Sequence, residues 1–449
     1  MAKSREVGQP EMLGPVPTSP VRAFTRTLQS TVLNIANFPF LWFTHFMLFH
    51  SFRLSISPRL CGAILICFSL GFNELTVAND APPPRQLKTF PLHNNPDSAD
   101  ISPDEQFVVT AIKLPAENVD LRKRQFVKVV QLWNFREDKL VAEFHPPQPD
   151  VKLSADKLST STDLSASFVR FSQDGTMVVA LIQQTLYVLS SNDLSLLRAT
   201  PISAPSNTAE RPRIWAFELS PRGVAAVLWV TGTLYGTIAL HDYASGKFLR
   251  SWETPQAWIG FTRGMAWDRD GKLLLVAIPD NPPCGSPGDG PDVFAFDVDS
   301  GAIKQKFRTG LTTGSIAVTG DRVLAVDENC VHVFTNHHPD LRVFEMSTGG
   351  KIGKVSGRGA GVRYRVSASA NGNRFLAFTG IMTMNFDWSD GVPMDRTIDE
   401  TFTIWNAADF SGVATSQNIP GLKSSDLRIS AKGAYAVSYG EASFVYELP

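Results

Sequence analysis

The chain has 449 residues, 43% of them apolar and 19% charged, with a formal net charge of −1. That balance excludes wholesale disorder. It also leaves no broad basic field, so a general nucleic-acid-binding role is disfavoured.

The first notable segment is Leu60 to Phe72 (LCGAILICFSLGF), an apolar run preceded by Arg53 and Arg59. Its length is short for a membrane span and suits the core of an export signal. Thr76 and Ala78 are the small residues expected before a cleavage point at Asn79, and Met47 is a candidate true start. The expectation is an export signal or N-terminal anchor over 1–78 and a proline-rich linker over 79–85, with the bulk of the chain periplasmic or extracellular. A membrane contact is expected only through the N-terminal segment, if it is uncleaved.

From residue 86 onward the pattern is all strands and turns. An orphan strand, Gln86–Leu92, precedes seven copies of one phrase: alternating apolar residues, a polar corner, then an apolar run. The copies include ISPDEQFVVTA from Ile101, FSQDGTMVVAL from Phe171, LSPRGVAAVLW from Leu219 and ISAKGAYAVSY from Ile429. The corners fall at Glu105, Gly175, Gly223, Gly271, about Asp321, Gly372 and Gly433, at intervals of about 48–51 residues through the middle. Such a period indicates blades or solenoid units. The third copy shows the unit: strands Trp215–Leu219, Val224–Val230, Thr237–Asp242 and Lys247–Trp252. Four short antiparallel strands make the blade of a β-propeller. The last unit has only three strands, and adding the orphan strand to it removes an exposed sheet edge. The expectation is an all-β, seven-bladed propeller over 86–449, its last blade closed by strand 86–92.

The corners Ser102-Pro103-Asp104, Ser172-Gln173-Asp174-Gly175 and Asp268-Arg269-Asp270-Gly271, with the strand endings Leu132-Trp133-Asn134, Leu240-His241-Asp242 and Ile404-Trp405-Asn406, carry a family resemblance. Across nearly all of 86–449 the chain resembles the WD40-type and YVTN-type propeller repeats. It has no Trp-Asp dipeptide closing a blade and none of the family's Gly-His pairs. The resemblance therefore implies the fold and does not carry over the family's binding surface.

The corner aspartates Asp104, Asp174 and Asp270 read as turn caps rather than metal ligands. Two residues before the corner serines stand Asp100, Arg170, Glu218 and Arg428, alternating in sign around the ring from blade seven. The expectation is an ion-pair arc between neighbouring inner strands beside the central channel, with a polar ligand mouth as the other reading. The connections between second and third strands are enlarged at Leu114–Arg124, Asp280–Pro291, Thr335–Asp340 and Ile381–Glu400. All of them emerge on one face, which becomes the candidate recognition surface. Its candidate contacts are Arg122-Lys123-Arg124, His337-His338, and Met384, Phe386 and Trp388. The last three alternate with Met382 either as an apolar contact stripe or as part of an extended hairpin.

Cys284 and Cys330 lie near the same face and read either as one disulfide or as two free thiols. His337-His338 would need a third ligand such as Asp289 or Asp292 to hold a metal. No G-x-S-x-G, H-E-x-x-H or G-x-x-x-x-G-K motif occurs, so no catalytic residue, metal or cofactor is assigned. The leading expectation is an exported, non-enzymatic scaffold for protein interaction or ligand binding, its partner another protein or an envelope component. The alternative is a lactonase-like propeller enzyme working at the channel mouth.

Overall fold

A computed structural model describes residues 84–89, 96–115, 126–147, 167–204, 212–231, 235–255, 264–278, 290–310, 313–327, 340–356, 361–386, 393–409, 412–417, 426–439 and 444–449. All of them lie in the compact unit Phe72–Pro449. The export signal or anchor expected over 1–78 lies outside the described residues. Among the described residues no helix is long and apolar enough to cross a membrane.

Strand β1 (Arg85–Thr89) comes first, followed by the blades in chain order. Blade one is β2 (Ser98–Ile101), β3 (Phe107–Pro115), β4 (Phe126–Asn134) and β5 (Lys139–Phe144). Blade two is β6 (Phe168–Phe171), β7 (Met177–Ile182), β8 (Thr185–Ser190) and β9 (Leu196–Pro201). In blade three these become β10 (Arg213–Leu219), β11 (Val224–Thr231), β12 (Tyr235–Asp242) and β13 (Phe248–Glu253). Blade four holds β14 (Met265–Trp267), β15 (Leu273–Ala277), β16 (Val293–Asp297) and β17 (Ile303–Phe307). Blade five holds β18 (Thr313–Thr319), β19 (Arg322–Asp327), β20 (Asp340–Glu345) and β21 (Lys351–Ser356). Blade six is β22 (Gly361–Ala368), β23 (Arg374–Phe386), β24 (Pro393–Asn406) and β25 (Gly412–Gln417). The final blade contributes β26 (Asp426–Ile429), β27 (Tyr435–Tyr439) and β28 (Phe444–Glu447), and β1 is its fourth strand in the order β1-β28-β27-β26.

The innermost strands β2, β6, β10, β14, β18, β22 and β26 touch in that order, and β26 touches β2, so the ring is closed. This is the seven-bladed propeller expected from the repeat. The closing strand begins at Arg85, inside the expected linker, and pairs Arg85 with Glu447 and Thr89 with Phe444. Residues 90–92 of the expected strand lie outside the described residues.

Seven apolar clusters fill the seven blade interfaces, one each. Alternation explains this: each blade turns one set of residues to the blade before it and the other to the blade after it. Val109 and Val130 of blade one meet Val178 of blade two, while Val108 of blade one meets Val437 and Val445 of blade seven. Leu87 of β1 packs on that last cluster, so the closing strand seals an interface as well as an edge. A fully buried Leu, Val or Phe stabilises by about 1.5–3 kcal/mol, so these interfaces carry most of the stability.

The corners hold themselves. Ser102, Ser172, Ser369 and Ser430 each accept the N–H five residues on, at 2.9–3.0 Å. Asp104 and Asp174 accept the hydroxyls of Ser102 and Ser172 at 2.5 and 2.6 Å, as turn caps do. In blade four the cap is Asp268, which accepts the N–H groups of Lys272 and Leu273, whereas Asp270 pairs loosely with Lys272 at 3.9 Å. Glu105 takes the left-handed backbone position (φ 63) that glycine fills at Gly175, Gly223, Gly271, Gly372 and Gly433. Its buried carboxylate accepts the Ser430 hydroxyl at 2.6 Å, which ties blade one to blade seven.

Candidate functional site: the central channel

The innermost strands surround a cavity of about 550 Å³ lined from all seven blades. Asp100, Arg170, Glu218 and Arg428 all line it. Arg170 donates to Glu218 from Nε at 3.4 Å and from Nη2 at 3.2 Å, joining blades two and three. Glu218 Oε1 also accepts Arg428 Nη2, which reaches in from blade seven on the far side of the channel. One carboxylate thus sits between two guanidiniums. Burial works against the Glu218 charge, but Arg170 and Arg428 overcome it and hold the carboxyl below its ordinary range. The Glu218 carboxylate in turn raises the Arg428 guanidinium against burial.

The alternating signs do not become a neighbour-to-neighbour chain of bonds. Asp100 makes no ion pair within 4.0 Å among the described residues; its Oδ2 accepts the backbone N–H of Phe171 in the next blade at 2.9 Å. Other inner-strand side chains share this role. Ser98 accepts Val169 N–H, Ser315 accepts Val366 N–H and Ser367 accepts Ile429 N–H, each across one blade boundary. The neighbouring Arg170 guanidinium is already occupied, since its Nη1 donates to Ser98 Oγ and the Val169 carbonyl at 2.7 Å each. Burial pushes the Asp100 carboxyl up, and Arg428, Arg170 and the Phe171 amide offset only part of that rise.

A second charged layer lies one alternation further along the same strands. Arg365 of β22 and Asp426 of β26 pair at 2.6 Å across blades six and seven. Tyr439 of β27 stands opposite Asp426 in the sheet, and burial pushes its hydroxyl up. Sequence reasoning missed these three, although Asp426 and Arg365 stand two residues before Arg428 and Ser367 and the same period would have reached them. Blades four and five contribute Gly264, Ala266, Gly314 and Ala317, with Trp267 and the blade-three Trp215 beside them. The inner strands of blades four and five thus place no charge in the channel, while the blade-four corner adds Asp268, Arg269 and Asp270 to its lining.

Other candidates fall elsewhere. Arg122, Lys123, Arg124, His337, His338, Trp388, Cys284 and Cys330 lie outside the described residues. Met384 and Phe386 lie in β23, at register positions opposite Arg396 and Pro393. The expected loop Ile381–Glu400 is mostly the continuation of β23 and β24, so the extended hairpin is the form observed. Asp292, weighed as a third metal ligand, is fully buried and accepts the N–H and hydroxyl of Thr309 at 3.1 and 2.5 Å. No group of three or more metal-ligating side chains occurs among the described residues.

His241 of β12 is 4% exposed and neither ring nitrogen has a hydrogen-bond partner. Burial lowers its pKa below 6.5. The unfolded chain therefore binds a proton that the folded one refuses, and stability falls as pH drops below about 6.5. His241→Leu is expected to flatten that fall and to raise stability at pH 7 by about 1 kcal/mol by removing unmet polar atoms. Urea titrations at pH 5.5 and 7.5 read both effects.

No protein-family model matches the chain, and no curated protein is similar to it. Solved structures are. The crystal structure of Chaetomium thermophilum Raptor aligns over 82% of this chain at 11% identity, with a TM-score of 0.52. The chain spans only 29% of that protein's length. A chain of the mitotic checkpoint complex crystal structure aligns over 90% of this chain and 99% of its own length, at 12% identity and a TM-score of 0.49. At such identity the Raptor likeness speaks for the fold alone, and it agrees with the seven-bladed β-propeller that the observed blades form.

Proposed function

We propose that the propeller is an exported protein-interaction scaffold that engages a protein partner through the face bearing its second-to-third-strand connections. The observation that carries this reading is the blade-six hairpin. Its strands β23 and β24 are 13 and 14 residues long, against 8 for β11 and β12 of blade three. At about 3.3 Å per residue, five additional residue pairs carry the ribbon about 16 Å further. The register puts Met382, Met384, Arg396 and Ile398 at positions on one face of this ribbon and Thr383, Asn385, Asp395 and Thr397 on the other. A two-faced ribbon on a rigid disc suits recognition of a partner, and loops on rigid scaffolds are where binding residues concentrate. This chain spans only 29% of the Raptor chain, so nothing of that protein's partners is carried over.

The channel offers less to the lactonase-like alternative. Glu218 in the channel is held by two arginines, which leaves its carboxylate little basicity for proton transfer. The export part of the proposal rests on the Leu60–Phe72 run and the small residues before Asn79.

A photo-crosslinking residue placed at Met384 in the native cell tests the interaction. The expected result is a discrete adduct with one protein, absent when the probe sits at Arg222 in a corner on the opposite face. Equal labelling from both positions, or none from Met384, contradicts the proposal. Mature protein beginning at Asn79 supports export; an uncleaved cytoplasmic chain overturns it.

A further inference from the structure

Three polar groups lining the cavity near the boundary of blades seven and one retain bonding capacity. Arg428 gives one of its five N–H donors to Glu218, and its Nε is buried without a hydrogen-bond partner. Asp100 Oδ2 is taken by the Phe171 amide, while Oδ1 accepts no bond from any described residue. The Tyr439 hydroxyl makes no hydrogen bond to a described residue and lines the same cavity. Arg428 and Asp100 are close enough to act on each other's charge but do not pair within 4.0 Å.

The rest of the wall narrows the chemistry. Arg170 is filled by Glu218, Ser98 and the Val169 carbonyl, so it offers no comparable donor set. Arg365 is engaged by Asp426. Across the channel stand Trp215, Met265 and Trp267, partly or fully packed on the blade-three to blade-four core, with Ala266 and Gly264 beside them and the corner residues Asp268, Arg269 and Asp270 beyond. A ligand matching both walls carries an acceptor anion for Arg428 and Tyr439, a cationic donor for Asp100, and an apolar body for the tryptophan side. The cavity of about 550 Å³ lies within the range of about 300–1,000 Å³ usual for small-molecule sites.

We propose that the central channel binds a free α-amino acid with an apolar side chain. Its carboxylate is received by Arg428 and Tyr439, its ammonium by Asp100, and its side chain by the Trp215–Trp267 wall. A guanidinium and a carboxylate set apart in this way select against ligands carrying only one charge, because each such ligand leaves one half-buried partner unmet. This site is independent of the loop face, so it stands or falls separately from the scaffold reading.

Isothermal titration of the full-length protein with L-leucine and L-phenylalanine is the test. Glycine, 4-methylpentanoate and 3-methylbutylamine serve as probes lacking the side chain, the ammonium and the carboxylate respectively. Saturable binding of the two apolar amino acids is expected, about tenfold or more tighter than each of the three partial probes. Asp100→Asn is expected to weaken L-leucine binding about tenfold without lowering the melting temperature. Should that variant fail to fold, Tyr439→Phe replaces it, with a loss of about threefold or more expected. The proposal is overturned by no binding of either amino acid at about 10 mM. It is equally overturned by 4-methylpentanoate binding as tightly as L-leucine, or by an unchanged affinity in the folded variant.

Discussion

Removing β1 is expected to lower the stability of the propeller by about 4 kcal/mol, from lost ladder bonds and the unpacking of Leu87. The strand pairs along Arg85–Thr89 with β28, and Leu87 lies against the cluster that joins blades seven and one. Without it the edge of β28 is open, and an open edge recruits other chains. A protein beginning at Pro96 should melt well below one beginning at Pro84, and should self-associate on heating. Leu87→Asp keeps the backbone pairing and should show part of the stability loss with little of the association. Differential scanning calorimetry with light scattering separates the two contributions.

The second large effect is expected at Glu218. Glu218→Gln removes the anion that Arg170 and Arg428 share and leaves two guanidiniums facing one another in the channel. The expected cost is about 2 kcal/mol at pH 7, because a partly buried ion network loses most when one partner alone is removed. Replacing all three, with Arg170→Met, Glu218→Leu and Arg428→Met, should recover most of the loss. Urea midpoints measure both; a change below about 0.5 kcal/mol in Glu218→Gln would contradict the network.

The pH dependence carries a further signature. Glu218 has a folded pKa below its ordinary 4.5. It therefore adds stability that is fully present above 4.5 and is lost as pH falls through the lower folded value. Asp100 has the opposite sign: its folded pKa is raised above 3.8, so its ionisation costs stability at neutral pH and protonation relieves that cost. Asp100→Asn should accordingly be at least as stable as the parent at pH 7, whereas Glu218→Gln should be less stable and titrate less steeply in acid.

Much of this fold was legible because its determinants are local. Period-two alternation gave the strands, and corner residues such as Ser172, Asp174 and Gly175 gave the turns. The three strands of the last blade called for the orphan strand near Gln86. Positions were legible where reasons were not. Glu105 aligns with the glycines of the other corners, but its use became visible only with Ser430, 325 residues away, bonded to its carboxylate. The channel behaved likewise. Its charged positions could be read from the step of two before each corner, but bonding partners depend on side-chain reach. Glu218 and the long Arg428 meet across the ring, 210 residues apart, while the shorter Asp100 turns to the nearest backbone amide. The blade-six segment read equally as an apolar contact stripe or as an extended hairpin, because pairing between Met384 and Arg396 depends on register, which alternation alone leaves open.

The most direct test of the closed ring is a cross-strand disulfide between Arg85→Cys and Glu447→Cys, which the register places opposite each other at opposite ends of the sequence. Mild oxidation followed by peptide mass spectrometry should find the 85–447 link in monomeric protein, and its reduction should lower the melting temperature. Oxidised monomer lacking that link, while the same cysteines remain reactive to alkylation, would contradict the closure on which the channel geometry depends.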